Sequence, residues 1–382
     1  MKQVVVLGCA GSIGVQALSV IRCHPEQWRV LALHTGSQAH VLLEQVQEFA
    51  PRYVGLSDRA AADRLKEHLP KEIQLEAGQD AACNLAALPD ADVVVLGISG
   101  IAGLPPLLAA LKAGKTVALA NKESIVCGHQ LVQEALNGFG GRILPVDSEQ
   151  SAIFQCLSFG ERTDVKSLIL TASGGPFRSF SKQELAQVTP QQALRHPTWN
   201  MGKTITIDSA TLFNKGLEIM EASYLFEVPG NRIRVMVHPQ SVVHSMVEFM
   251  DGAVAAQLSV PDMRLAIQYA LSYPKRLPGT WEGLTAARMA QLNFEEPDHA
   301  RFPALTLAYA ALEEGCILPI VYQGANAAAV KMFLNGEAGF LDIPNCVEYA
   351  MGHIRCERPS SLEGILAISQ EAERLAHIAL GR

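Results

Sequence analysis

Asp147 and Glu149 flank Ser148 directly after a strand-like run, Arg142–Val146, and so offer two carboxylates at i and i+2. Mg²⁺ and Mn²⁺ are hard cations that take oxygen ligands, and such a pair could hold one. The same pair could equally be the acidic first turn of a helix, favoured by the helix dipole. Further on, the stretch His196 to Glu218, HPTWNMGKTITIDSATLFNKGLE, begins as a loop and ends as a helix, with Ser209 standing where an N-cap would stand. In that helix Asn214 and Glu218 are four apart and Lys215 and Glu218 three apart, so an amide, an ammonium and a carboxylate share one face. Alone, this is a surface Lys–Glu pair of small energetic consequence. With partners from elsewhere it becomes a clamp for an anion and a metal, and Glu218 would complete a three-oxygen set with Asp147 and Glu149.

Other polar groups occupy chemically useful places. Ser173 precedes Gly174 and Gly175, an arrangement that suits phosphate but also suits a plain tight turn. Asn121, Lys122 and Glu123 follow the strand-like Thr116–Ala120, and on their own they read as a polar helix start. His238 and His244 flank the segment Pro239–Val243, and His244 reads as a hydrogen-bonded sheet histidine rather than a catalyst.

These groups need elements to hold them. Val4–Leu7 is a β-branched run ending in GCAGSIG at 8–14, after which Val15, Leu18 and Ile21 recur at helical spacing. This strand, glycine turn and helix would present backbone N–H groups to a pyrophosphate, although GxxGxxG is weaker as a signal than GxGxxG. Strand-like Trp28–Leu33, Tyr53–Leu56, Asp92–Gly97 and Thr116–Ala120 alternate with helical stretches, predicting a doubly wound parallel α/β sheet, Rossmann-like, with ligands at the carboxyl ends of its strands. No acid lies between Arg29 and His40 to meet a ribose 2′-hydroxyl, which leans toward NADP over NAD. Lys166–Thr171, Ile233–Val237 and the alternating 242–260 predict a central α+β part with antiparallel strands. Pro274–Gly279 reads as a linker, and from about Phe302 the pattern is that of a small helical bundle in a supporting role.

Composition narrows the class. A chain of 382 residues exceeds one ordinary core. A net charge of −7 without any Lys/Arg-rich run argues against nucleic acid or an anionic membrane as partner and favours a small molecule. No signal peptide or apolar span of roughly 20 residues is evident. The eight cysteines have no metal-finger spacing, so reduced, mostly buried thiols in a cytoplasmic protein are expected.

Eight segments in register resemble the 1-deoxy-D-xylulose 5-phosphate reductoisomerase family: GCAGSIG (8–14), LANKES (119–124), PVDSEQSAIFQCL (145–157), TASGGPFR (171–178), HPTWNMG (196–202), DSATLFNKGLE (208–218), HPQSVVHSMVEF (238–249) and VPDMRLAIQYAL (260–271). The resemblance implies an NADPH-binding Rossmann-like part (1–147), a catalytic and dimerisation part with a substrate lid (148–273), a linker (274–300) and a C-terminal helical bundle (301–382), in a homodimer. It implies isomerisation and NADPH-dependent reduction of a sugar phosphate in isoprenoid precursor biosynthesis. Carried over by position, Asp147, Glu149 and Glu218 would bind one Mg²⁺, Mn²⁺ or Co²⁺. Lys122, Ser148, Glu149 and Asn214 would hold substrate hydroxyls and carbonyl. Ser173, His196, Ser209, Asn214 and Lys215 would surround the phosphate. Ala10, Gly11, Ser12, Ile13, Gly36, Ser37, Gln38, Asn121, Glu123 and Gly202 would contact the cofactor. Lys122, Glu149 and Trp199 would serve catalysis, Trp199 on a closing loop.

Three positions depart from the family pattern: Ala10 where Thr is frequent, Gln150 where His is common, and Ser37-Gln38 where a basic residue often follows the glycine. A plain NADP-dependent dehydrogenase, homoserine-dehydrogenase-like, would explain the N-terminal part but leave the carboxylates and phosphate-binding groups without purpose. A catalytically silent nucleotide-binding protein would be favoured by a missing metal carboxylate or a missing Lys122, and neither is missing.

Overall fold

The computed structural model describes residues 1–195, 199 and 201–381, which form two compact units: 1–151 with 262–282, and 152–261 with 283–382.

The first unit is built on β-branched runs too apolar to face water on either side. Val4 to Leu7 are wholly buried, as a central parallel strand covered by helices on both faces requires. Its elements alternate in the order β1 (Lys2–Leu7), α1 (Ser12–Cys23), β2 (Trp28–Thr35), α2 (Ala39–Phe49), β3 (Tyr53–Leu56), α3 (Arg59–Lys66), β4 (Gln74–Ala77), α4 (Ala81–Ala86), β5 (Val93–Leu96), α5 (Leu104–Lys112), β6 (Thr116–Leu119), α6 (Lys122–Phe139) and β7 (Arg142–Pro145), after which α7 (Ser148–Cys156) begins. Among the described residues the strands make one parallel sheet in the order β4-β3-β2-β1-β5-β6-β7. The chain leaves β1 toward β2 on one side and later returns to β5 on the other. That reversal opens a crevice at the carboxyl ends of β1 and β5, where ligands of such sheets sit. The doubly wound expectation is borne out. Strand β4, QLEA, has no apolar run to mark it, and as a short, partly exposed edge strand it needs none.

The second unit follows with β8 (Val165–Ala172), α8 (Lys182–Leu185), α9 (Pro190–Ala193), α10 (Lys203–Thr211), α11 (Phe213–Phe226), β9 (Ile233–Val237), β10 (Val243–Phe249) and β11 (Val254–Leu258). Its sheet runs β11-β10-β8-β9. β10 is antiparallel to β11 and β8, as the alternation predicts, while β8 and β9 are parallel because a helical crossover joins them. Next come α12 (Met263–Ser272), α13 (Ala286–Met289), α14 (Ala304–Glu314), α15 (Leu318–Leu334), α16 (Asp342–His353) and α17 (Leu362–Ala379). Helices α14, α16 and α17 pack around α15, most of whose side chains are buried.

Helix α12 and the segment after it belong to the first unit, although a linear reading divides them between a catalytic part and a linker. Buried polar groups tie them there. His24 Nε2 lies 3.0 Å from Gln268 Oε1 and 3.1 Å from the Pro278 carbonyl, and Gln268 Nε2 donates to the Leu277 carbonyl at 2.9 Å. Among the described residues no helix is long and apolar enough to cross a membrane.

Candidate active site

At the crevice of the first unit, the turn from β1 to α1 leaves an anion cradle. The N-cap of α1 is Gly11, which has no side chain to occupy the free N–H groups, and the first turn carries no acid. The positive end of the helix is therefore open to a phosphate. Gly14 is what lets helix and strand close up: a Cβ there would sit 2.3 Å from the Gly8 carbonyl oxygen. Ala10, Gly11, Ser12 and Ile13 lie at this turn, with Gly11 and Ser12 exposed. Gly36, Ser37 and Gln38 lie exposed at the carboxyl end of β2, and Gln38 is the N-cap of α2 without a side-chain cap bond.

Asn121 and Glu123 pin the loop that leaves β5. Asn121 caps α6, its Oδ1 accepting the Ser124 N–H at 2.7 Å, while its Nδ2 donates to the Ile98 and Gly100 carbonyls at 2.7 and 2.8 Å. Glu123 Oε1 accepts the Gly100 N–H at 3.2 Å. The polar helix start is thus real and shapes the crevice wall. Lys122, between them, points inward with 4% exposure and donates from Nζ to Asp147 Oδ2 at 2.6 Å.

Asp147 does two things. Its Oδ1 accepts the backbone N–H groups of Glu149 and Gln150 at 3.2 and 3.4 Å, as at a helix start, and its Oδ2 meets Lys122. Ser148 Oγ donates to Glu149 Oε2 at 2.5 Å. An ammonium held against a carboxylate in this setting is costly to leave half-removed, about 3–5 kcal/mol if one partner goes.

In the second unit one expectation needs correction. Ser209 is not an N-cap: α10 continues through it to Thr211, and Leu212, in the left-handed region at φ 65, ends α10 and starts α11. Burying the Leu212 side chain sets that junction, and no Gly or Asn announces it. The Lys215–Glu218 pair lies in the interior, with side chains only 4% and 1% exposed, so the surface alternative falls away. Lys215 Nζ donates to Glu218 Oε2, and Asn214 Nδ2 donates to Glu218 Oε1 at 2.5 Å.

The C-terminal helices hold this face from behind. Tyr322 of α15 is fully buried over Gly216, where a Cβ would come within 1.9 Å of the tyrosine oxygen. The Phe213 and Tyr322 rings lie 4.9 Å apart, and Asn326 Nδ2 donates to Asp208 Oδ1 at 2.7 Å, fastening α15 to α10. The supporting role expected of these helices follows directly.

The turn after β8 meets the same region. Ser173 Oγ accepts the Gly175 N–H at 3.2 Å, and Gly175 packs so closely that its Cβ would lie 3.0 Å from the Ser209 carbonyl oxygen. Ser173 and Ser209 are thereby neighbours near the start of α11. Trp199 lies with its ring 6.2 Å from that of His244. His244 is a buried sheet histidine with backbone hydrogen bonds to Ser259 and Val260, satisfied on one side of its ring. It is 4% exposed, and its Nε2 has no hydrogen-bond partner among the described residues. Burial, with smaller contributions from the positive fields of Lys215 and His238, lowers its pKa to about 4, so it is neutral at pH 7. Its signal in the sequence is only the alternation that turns it inward on β10. Gly202 is the N-cap of α10. His196 lies outside the described residues.

Comparison with known proteins follows from this geometry. Residues 4–129 match the 1-deoxy-D-xylulose 5-phosphate reductoisomerase family, 143–226 its C-terminal domain, and 258–375 a further DXP reductoisomerase C-terminal domain. The 1-deoxy-D-xylulose 5-phosphate reductoisomerase of Chlorobaculum tepidum is 47% identical, with both chains fully covered. That of Thermodesulfovibrio yellowstonii is 44% identical, again with full coverage of both. Among solved structures, the Zymomonas mobilis enzyme in complex with NADPH superposes with a TM-score of 0.93 at 43% identity, covering 99% of each chain. A DOX-P reductoisomerase in complex with NADPH, fosmidomycin and magnesium gives 0.94 at 35% identity, covering 100% of this chain and 98% of the other.

Proposed function

The chain belongs to the 1-deoxy-D-xylulose 5-phosphate reductoisomerase family, and on that premise we propose how its residues perform the reaction. The enzyme rearranges 1-deoxy-D-xylulose 5-phosphate and reduces the product with NADPH to 2-C-methyl-D-erythritol 4-phosphate. It is an NADPH-dependent oxidoreductase that also uses a divalent cation.

The residues fit both groups. The N-terminus of α1, free of acids and close-packed through Gly14, suits a pyrophosphate. Ala10 to Ile13, Gly36 to Gln38, Asn121, Glu123 and Gly202 would contact the cofactor, which supplies the hydride. Asp147, Glu149 and Glu218 are an all-oxygen donor set suited to Mg²⁺ or Mn²⁺. The observation that carries this reading is that two of these acids are each neutralised by a buried lysine, Asp147 by Lys122 and Glu218 by Lys215. Carboxylates held in the interior need positive charge beside them, and a cation would add what the lysines partly provide. When bound, the cation acts as a Lewis acid on substrate oxygens while a carbon–carbon bond breaks and re-forms.

The remaining steps rest on the chain. Lys122 orients Asp147 and keeps a positive charge beside the substrate carbonyl, while Ser148, Glu149 and Asn214 position the hydroxyls. Ser173, Ser209, Asn214, Lys215 and His196 hold the phosphate, whose binding energy fixes the reacting carbons in place. Trp199 closes over the substrate and keeps water from the aldehyde before it is reduced. Residues 1–147 would bind NADPH, 148–273 would carry catalysis and dimerisation, 274–300 would link, and 301–382 would support. The cytoplasm is the expected compartment, supported by eight free thiols. A homodimer is expected, supported by the edge strand β11 and the exposed Met250 and Val254 beside it; light scattering of a monomer at micromolar concentration would overturn it.

The test is NADPH oxidation with 1-deoxy-D-xylulose 5-phosphate and Mn²⁺, before and after chelation. Substrate-dependent oxidation that disappears with the metal, and a branched-chain product, is the expected result. Oxidation indifferent to complete metal removal, with an unrearranged product, would favour the plain dehydrogenase.

A further inference from the structure

The turn that should recognise the 2′-phosphate of NADPH has no cation of its own, since Ser37 and Gln38 follow Gly36. The fold brings one from the neighbouring strand. β2 and β3 are parallel and end together, with Thr35 beside Leu56. The chain leaving β3 then runs along the chain leaving β2: the Ser57 N–H donates to the Thr35 carbonyl at 3.3 Å and the Asp58 N–H to the Gly36 carbonyl at 2.9 Å. Arg59 is the next residue, the first of α3, and it is exposed.

The guanidinium is exposed and rests at the strand ends, on the β4 side of β3. Gly78, just past β4, has φ +102, and a Cβ there would lie 2.8 Å from Arg59 Nε and 3.3 Å from Nη2, so the side chain lies across a backbone left bare for it. The adjacent acid, Asp58, is engaged as the α3 cap, accepting the Ala61 N–H at 2.9 Å. Arg59 makes no ion pair among the described residues. The other nearby groups do not replace it. His34 is buried, 3.1 Å from Ser57 Oγ, and its pKa is lowered to about 4, so it is neutral. Arg52 sits at the opposite end of β3 against Asp90.

We propose that Arg59 is the specificity-determining cation for the 2′-phosphate, supplied from the end of β3 where the turn after β2 supplies none. A guanidinium offers a planar pair of donors that matches phosphate geometry, and NADH has no group at that position for it to meet. The proposal rests on the NADPH reading above.

Binding of NADPH, NADH, 2′,5′-ADP and ADP to the purified full-length enzyme is measured by calorimetry, with kinetics for both dinucleotides. Arg59→Gln should weaken NADPH and 2′,5′-ADP by roughly ten- to a hundredfold, the range of a charge-assisted bond. It should leave NADH, ADP and kcat at saturating NADPH unchanged within about twofold, and Arg59→Lys should recover part of the loss. Equal losses for both dinucleotides, or none for NADPH, would overturn the role of Arg59. A wild-type enzyme that binds NADPH no better than NADH would overturn it too while leaving the reductase reading standing. A wild-type enzyme that binds neither would bring down the NADPH reading along with it.

Discussion

The two units present polar groups by opposite means. At the β1–α1 turn and the end of β2 in the first unit, the groups that would bind are backbone N–H donors, a bare helix N-terminus and exposed small side chains. Around α11 in the second unit, they are full charges in the interior, Lys215 and Glu218 at 4% and 1% exposure. Backbone donors need no desolvation of a charge and are available wherever a glycine turn meets a helix. Interior charges must be paired and rigidly held, or the protein is destabilised by several kcal/mol. Lys122 with Asp147 shows the first unit following the second unit's method. The crevice of the first unit is therefore built from local chain geometry, and the face of α11 from a supported electrostatic arrangement.

If that contrast is right, the largest effect belongs to the interior charges. Glu218→Gln, which keeps shape but not charge, should lower kcat/KM roughly a hundred- to thousandfold or more, with NADPH affinity retained. An unfolded variant whose remaining folded fraction is fully active would break the comparison by making Glu218 structural; circular dichroism with active-site titration decides.

Next in size is the scaffold behind α11. Gly216→Ala drives a methyl into Tyr322 and should cost about 1–3 kcal/mol of stability or more, read as a fall in denaturant midpoint, together with lost activity. An unchanged midpoint would mean that α11 is not braced by α15. Asn326→Ala, which removes one bond to the buried Asp208, should cost less, about 1–2 kcal/mol.

Acid should sharpen the picture in both units. His34 and His244 are buried, and burial lowers each pKa from 6.5 to about 4. Above pH 6.5 neither folded nor unfolded chain protonates these rings. Between 6.5 and 4 the unfolded chain binds the protons first, so stability falls with pH, by up to about 3 kcal/mol per histidine. His34→Gln should therefore flatten the stability–pH curve in that window without changing catalysis at pH 7.5. A curve as steep as wild type would show that burial does not hold His34 neutral.

Much of the first unit was legible because parallel strands announce themselves. Val4–Leu7, Tyr53–Leu56 and Ile233–Val237 in the second unit are apolar or alternating runs bounded by turn residues. β4 was not legible, because a four-residue edge strand buries too little to need an apolar pattern. Ser209 was misplaced as a cap because a left-handed leucine at 212 obeys core packing rather than turn chemistry. His244 could be read as inward-facing, but not that its Nε2 lacks a partner among the described residues, since hydrogen-bond partners come from other strands.

By itself, then, the sequence determined the strand and helix alternation, the glycine turn and the chemical inventory of carboxylates, lysines and serines, because these follow from local periodicity and residue type. Only the tertiary structure decided that Lys215 and Glu218 are interior, that α12 returns to the first unit, and that the segment leading into Arg59 is bonded to Gly36 through the Asp58 N–H. Burial, long-range packing and the register of neighbouring strands are properties of residues far apart in the chain, and spacing along one segment carries no record of them.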